Sequence, residues 1–283
     1  MTTPDVRGAK TSARTTSVLS KVPEATAFFW LIKILTTGTG ETASDFIGNS
    51  ATPILLALVA VTAIALVTAL VLQFKAGRYV APIYWFAIAM ISVVGTMLSD
   101  GSRIALGISF LASTISFVVA LVVVFTLWYR REGTLSIHSI YTRPREIFYW
   151  CAVVATFALG TSAGDWTAMS LNLGFLGSGL MFIGIILVPL AAYKVFGLNP
   201  VPAFWMAYVT TRPLGASFAD WMAVEKDRGG LGWGTGPVTL VLSVVILTLV
   251  GWLTWTGRDL VESLDVELDP NTLPRAGRPT STS

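Results

Sequence analysis

The chain has 283 residues, of which 54% are hydrophobic and 12% charged; a soluble domain carries about 25% charge, so this composition excludes a soluble globular protein and points to an integral membrane one. The net charge of +3 is spread over short stretches between apolar runs and forms no single patch, so nucleic acid is not an expected partner. One cysteine, Cys151, and one histidine, His138, exclude an internal disulfide and a His-rich metal or bis-histidine haem site among the apolar runs.

In chain order, residues 1–22 are polar. They are expected to form a disordered cytoplasmic tail rather than a cleaved leader, because the first apolar run starts only near Ala25. Apolar runs follow at about 25–45, 52–74, 80–100, 104–129, 147–165, 172–193, 201–220 and 235–256. Each is close to the roughly 20 residues that a ~30 Å hydrocarbon core requires. Each must be helical, since backbone polar groups in lipid need partners within the segment. Residues 259–283 are polar again and are expected to be a second disordered cytoplasmic tail. The second, fourth, sixth and eighth runs hold no ionisable residue and read as lipid-facing or packing helices. Lys75, Arg78, Arg130, Arg131, Arg143, Arg145, Lys194 and Arg258 fall on one side of the runs, and Arg103, Lys226 and Arg228 on the other. The positive-inside bias then puts both chain ends in the cytoplasm.

An internal repeat organises these runs. An aromatic pair ending in Trp is followed ten residues after the Trp by Gly and five residues later by Asp: Phe29-Trp30, Gly40, Asp45; Tyr84-Trp85, Gly95, Asp100; Tyr149-Trp150, Gly160, Asp165; Phe204-Trp205, Gly215, Asp220. The expected fold is an all-α polytopic membrane helix bundle, with eight transmembrane helices arranged as four two-helix repeats. The membrane domain covers 23–258, with copies at about 23–77, 78–142, 143–197 and 198–257. A two-helix unit returns the chain to its starting side, so the copies are related by an axis along the membrane normal. A ring of odd helices wrapped by even ones is the natural packing.

Two readings of the repeated positions stand side by side. Fifteen residues of helix span about 22 Å, which could put each Trp in an interfacial aromatic belt and each Asp at the opposite boundary as a polar stop. Alternatively Asp45, Asp100, Asp165 and Asp220 ring the mouth of a central path and favour cations. The Gly, flanked by small residues, reads as a packing position. The copies then diverge. Copy one carries Lys33 and Glu41, and its centre, Thr36-Thr37-Gly38-Thr39-Gly40-Glu41-Thr42, invites local unwinding that would offer backbone carbonyls to a cation. Copy four carries Arg212 before Pro213, at an expected kink. Copies two and three have only hydroxyls between Trp and Asp, including Ser92, Thr96, Thr161 and Ser162. Three unpaired charges near a bilayer centre would cost together about 8–10 kcal/mol on insertion scales, so Lys33, Glu41 and Arg212 are expected to pair or face water, with Glu41 meeting Arg212 or Lys33. Such a pair is either a static register device or part of a substrate- or proton-linked site. Glu24 and Glu146 read as acids at helix starts. The Gly-rich stretch from Gly229 to Gly236 reads as a connector, because it lacks the Lys-Ser/Thr of a phosphate loop.

The stretch Lys21-Val22-Pro23-Glu24, Phe29-Trp30, Lys33, Gly40-Glu41-Thr42 and Asp45 is similar to the opening of a bacterial family of uncharacterised multi-pass membrane proteins built from a tandem repeat of unknown function. The resemblance covers all four copies and is most specific in the first; later copies lose Lys and Glu. It implies residence in a bacterial plasma membrane and no particular activity. The residues themselves support a transporter or channel for a small cation, with proton coupling as one form of it. The candidate site comprises Glu41, Asp45, Asp100, Asp165, Asp220, Lys33, Arg212 and Thr37. The alternative is a non-transport scaffold or stress-response protein with a structural buried ion pair. No cofactor and no enzymatic role is expected, since no apolar run holds a nucleophile–base pair. Small residues on the even runs permit a homodimer.

Overall fold

The computed structural model describes residues 20–259; the tails expected at 1–19 and 260–283 lie outside the described residues. Eight long helices account for most of what is described: α1 (Ala27–Gly48), α2 (Thr52–Lys75), α3 (Ala81–Leu106), α4 (Phe110–Glu132), α5 (Arg143–Asp165), α6 (Gly174–Phe196), α7 (Pro200–Ala223) and α8 (Thr235–Thr256). Local chemistry sets their starts. Thr26 and Ser109 cap α1 and α4 through their hydroxyls, and α2, α3, α5 and α7 begin with proline in the first turn, where its missing N–H costs nothing. α5 runs on past Asp165 into a wider π turn, Trp166–Ser170. Six of the eight are long and apolar enough to cross a membrane; α1 and α7, which carry Lys33, Glu41 and Asp45, and Arg212 and Asp220, are the two that fall short.

The odd helices close into a ring, α1 on α3, α3 on α5, α5 on α7 and α7 back on α1. The even helices lie outside and expose aliphatic side chains such as Leu56, Ile64 and Leu247, each more than half accessible. Pairing is not within the copy. α2 packs chiefly on α3, α4 on α5, α6 on α7 and α8 on α1, while the two helices of one copy touch only lightly. A compact hairpin is therefore not the packing unit, because each copy lends its second helix to the next. Hydroxyls pin three of these borrowed helices: Thr239 to Thr42 (2.7 Å), Ser113 to Ser162 (2.8 Å) and Ser178 to Ser217 (3.0 Å).

The recurrent glycine is where ring helices touch. A Cβ at Gly40 would fall on Ser92, at Gly95 within 2.6 Å of the Phe157 Cβ, at Gly160 on Arg212 and at Gly215 on Thr37. Each contacted residue stands seven after the Trp of the following copy, and the rule closes from copy four to copy one. The repeated aromatics obey it too. Phe29 packs on Trp85, Tyr84 on Trp150, Tyr149 on Trp205 and Phe204 on Trp30, with ring centroids 5.5–6.2 Å apart. Trp85, Trp150 and Trp205 are at most 4% exposed, so these three form a layer inside the bundle and not an interfacial belt.

Below that aromatic layer, the segment entering α1 is folded in rather than loose. Ser20, Lys21 and Val22 are buried. The Lys21 N–H donates to the Ile140 carbonyl (2.9 Å) and its ammonium to Glu146 (2.7 Å). Glu146, which reads from sequence as a helix-start acid, is thus half of a buried ion pair. The Tyr79 hydroxyl donates to Asp259 (2.5 Å), and burial together with that carboxylate holds the phenol well above its ordinary pKa. The Glu24 N–H donates to the Asp259 carbonyl, which draws the two ends of the described chain together under the ring.

Candidate functional site

From the aromatic layer towards the C-terminal ends of the odd helices, the ring interior changes character by steps. The Tyr84 and Tyr149 hydroxyls share a 2.5 Å hydrogen bond. Lys33 comes next. It is completely buried, and its ammonium lies 3.9 Å above the Phe157 ring and 4.2 Å above that of Tyr208, with no acceptor. The expectation that it would pair with a carboxylate or face water is overturned. Two aromatic faces, each able to offer an ammonium roughly 2 kcal/mol when desolvated, take that place.

A hub of charge follows. Arg212, fully buried, donates from Nη2 to Glu41 Oε2 at 2.6 Å and from Nη1 to the Thr37 carbonyl at 2.9 Å. The hydroxyls of Thr96 and Thr161 approach the same carboxylate oxygen at 3.1 and 3.2 Å. Both also receive Arg212 Nη2, Thr161 at 2.8 Å. Glu41, Thr96 and Thr161 each stand eleven residues after their Trp; the fourth member of that set is Ala216. Arg212, one turn earlier in copy four, fills the place the alanine leaves. The hub therefore draws one polar group from each ring helix. Glu41 meets Arg212 as expected from the cost of isolated charge. Thr37 enters through its backbone carbonyl, but its hydroxyl turns to the carbonyls of Ile34 and Thr211.

The anticipated unwinding of copy one is absent: α1 is helical throughout Ala27–Gly48, and α7 continues past Pro213 from Pro200 to Ala223. In α1 the hydroxyls of Thr36, Thr37, Thr39 and Thr42 return to carbonyls three or four residues back, which satisfies the hydroxyls, while packing of α1 on α3, α7 and α8 holds the turns the glycines weaken. In α7 the amide that Pro213 lacks is offset by packing, since its ring and the Arg212 stem lie against Gly160 of α5.

Beyond the hub the interior opens into a cavity of about 570 Å³. Glu41 is at its floor; Asp45, Asp100, Asp165 and Asp220 line it, with Arg103 and Arg228 towards the rim. The four repeated Asp thus share one space, as the ring reading requires. Among the described residues no side chain or backbone N–H donates to any of these four carboxylates. Oxygens of Glu41, Asp165 and Asp220 lie within 4.8 Å of one another. Arg103 does not reach across the cavity, and its guanidinium sits 4.3 Å over the Phe110 ring. Cys151 is exposed on α5, and His138 meets Glu24 at 3.3 Å near the surface; neither joins the interior.

Sequence reasoning misses Thr96, Thr161, Phe157 and Tyr208. For the two threonines the signal is present in the register shared with Glu41; for the two aromatics, seven and three residues after their Trp, it lies in the positions of Arg212 and Lys33 in the neighbouring copies.

No curated protein and no solved structure matches the chain. A family of repeats matches four times in tandem, at residues 28–79, 83–134, 148–197 and 203–259, and these intervals coincide with the four copies that build the ring. The chain belongs to that family, described as the Repeat of Unknown Function (DUF347).

Proposed function

We propose that this protein is a transporter or channel for a small cation, set in a bacterial plasma membrane with all eight helices crossing. α1 and α7 fall short of a membrane segment by composition alone. Their charges lie inside the ring, where the other helices shield them from lipid, and such placement is how charged helices are tolerated in a bilayer. The excess of Lys and Arg around the aromatic end puts that end on the cytoplasmic side, so the acidic cavity opens outward.

One observation carries the reading: a cavity lined by five carboxylates reaches from the ends of the odd helices to Glu41, while aromatic rings and the Lys21–Glu146 latch close the opposite end. Acid-lined mouths concentrate cations and repel anions, and one open end with one closed end is the arrangement of a pathway between openings. Carboxylates in such a place also take up and release protons, which is the route to proton coupling. A second reading, a scaffold with a structural ion pair, is favoured by the Arg212 and Thr contacts that hold Glu41 Oε2. The two diverge in flux. Purified protein in liposomes should pass sodium, potassium, protons or a divalent cation above the protein-free background, and Glu41→Gln should abolish the excess. Identical ion-independent background for both proteins would overturn transport and favour the scaffold.

A further inference from the structure

The acidic cavity is not uniform. Asp45 and Asp100 stand apart from its floor, whereas Glu41 of α1, Asp165 of α5 and Asp220 of α7 bring one oxygen each within 4.8 Å of the others. Three oxygens spread evenly around one ion stand at most about 4.0–4.5 Å apart for calcium at about 2.3–2.6 Å, and about 3.5–3.6 Å apart for magnesium at about 2.0–2.1 Å. Separations of at most 4.8 Å bring the three oxygens within small side-chain movements of one such shell and do not choose between the two ions.

A separate observation points the same way. Asp220 is 6% exposed, and its Oδ1 is buried with no donor. Nearby, Glu41 Oε2 has three donors within reach. A buried carboxylate oxygen without a donor is costly unless a positive charge meets it or the group takes up a proton, which a bound cation would displace. Asp220 Oδ1 belongs to the side chain that lines the cavity beside Glu41 and Asp165. Formal charge agrees: three carboxylates less the Arg212 guanidinium leave two negative charges, the complement of a divalent ion.

We propose that Glu41, Asp165 and Asp220 form a binding site for one hard divalent cation, with cavity water completing its shell and Asp45 and Asp100 drawing the ion inward. The proposal names the cation class for the reading above and rests on it in treating the cavity as the path. Arg212 gives the site its means of release: it already holds Glu41, so ion and guanidinium compete for one carboxylate, and binding stays reversible.

Calorimetric titration of the full chain in detergent with calcium chloride, magnesium chloride and, at matched ionic strength, sodium chloride tests this. The expected result is one saturable calcium site per chain, for which magnesium competes, and none for sodium. Asp165→Asn and Asp220→Asn should each weaken calcium by about tenfold or more, and Asp227→Asn in the exposed α7–α8 connection should leave it unchanged. Absence of saturable divalent binding to the wild type overturns the site, as does wild-type affinity in Asp165→Asn. If Asp220→Asn does not fold, the wild-type stoichiometry and Asp165→Asn decide. Sodium flux without calcium binding would sink this site and leave transport standing; calcium binding without flux would do the reverse.

Discussion

The two ends of the same four helices solve opposite problems with the same repeat. At the aromatic end, large rings interlock around the circle, two tyrosine hydroxyls satisfy each other, and the Lys21–Glu146 pair closes the base. At the acidic end, the repeated side chain is small and charged, receives no donor among the described residues, and leaves a cavity. Repetition of an apolar side chain around an axis fills space, whereas repetition of a like charge empties it. The Arg212–Glu41 hub divides the two regimes, and it exists because copies one and four depart from the consensus.

The largest way to break this division is Arg212→Ala. It leaves Glu41 buried without its cation and should cost about 3–5 kcal/mol, read as a large fall in the unfolding midpoint in detergent. The double variant Arg212→Met with Glu41→Gln should recover most of the loss, and an unchanged midpoint in the single variant would contradict the hub. Next is the glycine seam at the level of the hub. Gly95→Ala places a methyl 2.6 Å from the Phe157 Cβ and should cost about 1–3 kcal/mol through forced separation of α3 and α5. Gly101→Ala, six residues on in the same helix with open space around it, should instead gain about 0.5–1 kcal/mol. Equal effects at the two positions would remove the seam from the explanation. The finest contrast sets a hydroxyl against a carboxylate. Tyr149→Phe deletes the bond to Tyr84 and should cost about 0.5–1.5 kcal/mol. Asp45→Asn should stabilise by about 0.2–0.5 kcal/mol, because Glu41 and Asp45 are like charges four apart on an unbroken helix. Losses at both ends would mean that the acids are paired and not mutually repelling.

Much of this was legible in the residues alone. Invariant spacing from Trp to Gly to Asp carries the ring, because equal registers on parallel helices must meet at equal heights. The cost of isolated charge carries the Glu41–Arg212 pair. What stayed hidden depends on neighbours that spacing within one copy cannot name. Lys33 finds aromatic faces contributed by copies three and four. Thr96 and Thr161 matter because they stand in Glu41's register, a comparison made across copies and not along them. Local rules also over-weighted Gly38 and Gly40 as helix breakers. Packing on α3, α7 and α8 carries α1 through these positions, and packing of Arg212 and Pro213 on Gly160 carries α7 past its proline.

The lending of each second helix to the following copy fixes the number of copies. A solenoid stacks its units along a line and can grow by one more, since its last unit leaves an unfinished face. Here the last borrowed helix, α8, lies on α1, so among the described residues no face remains for a fifth copy. Four is a stoichiometry imposed by closure, and a duplication that added one further unit would have to open the circle before it could be accommodated.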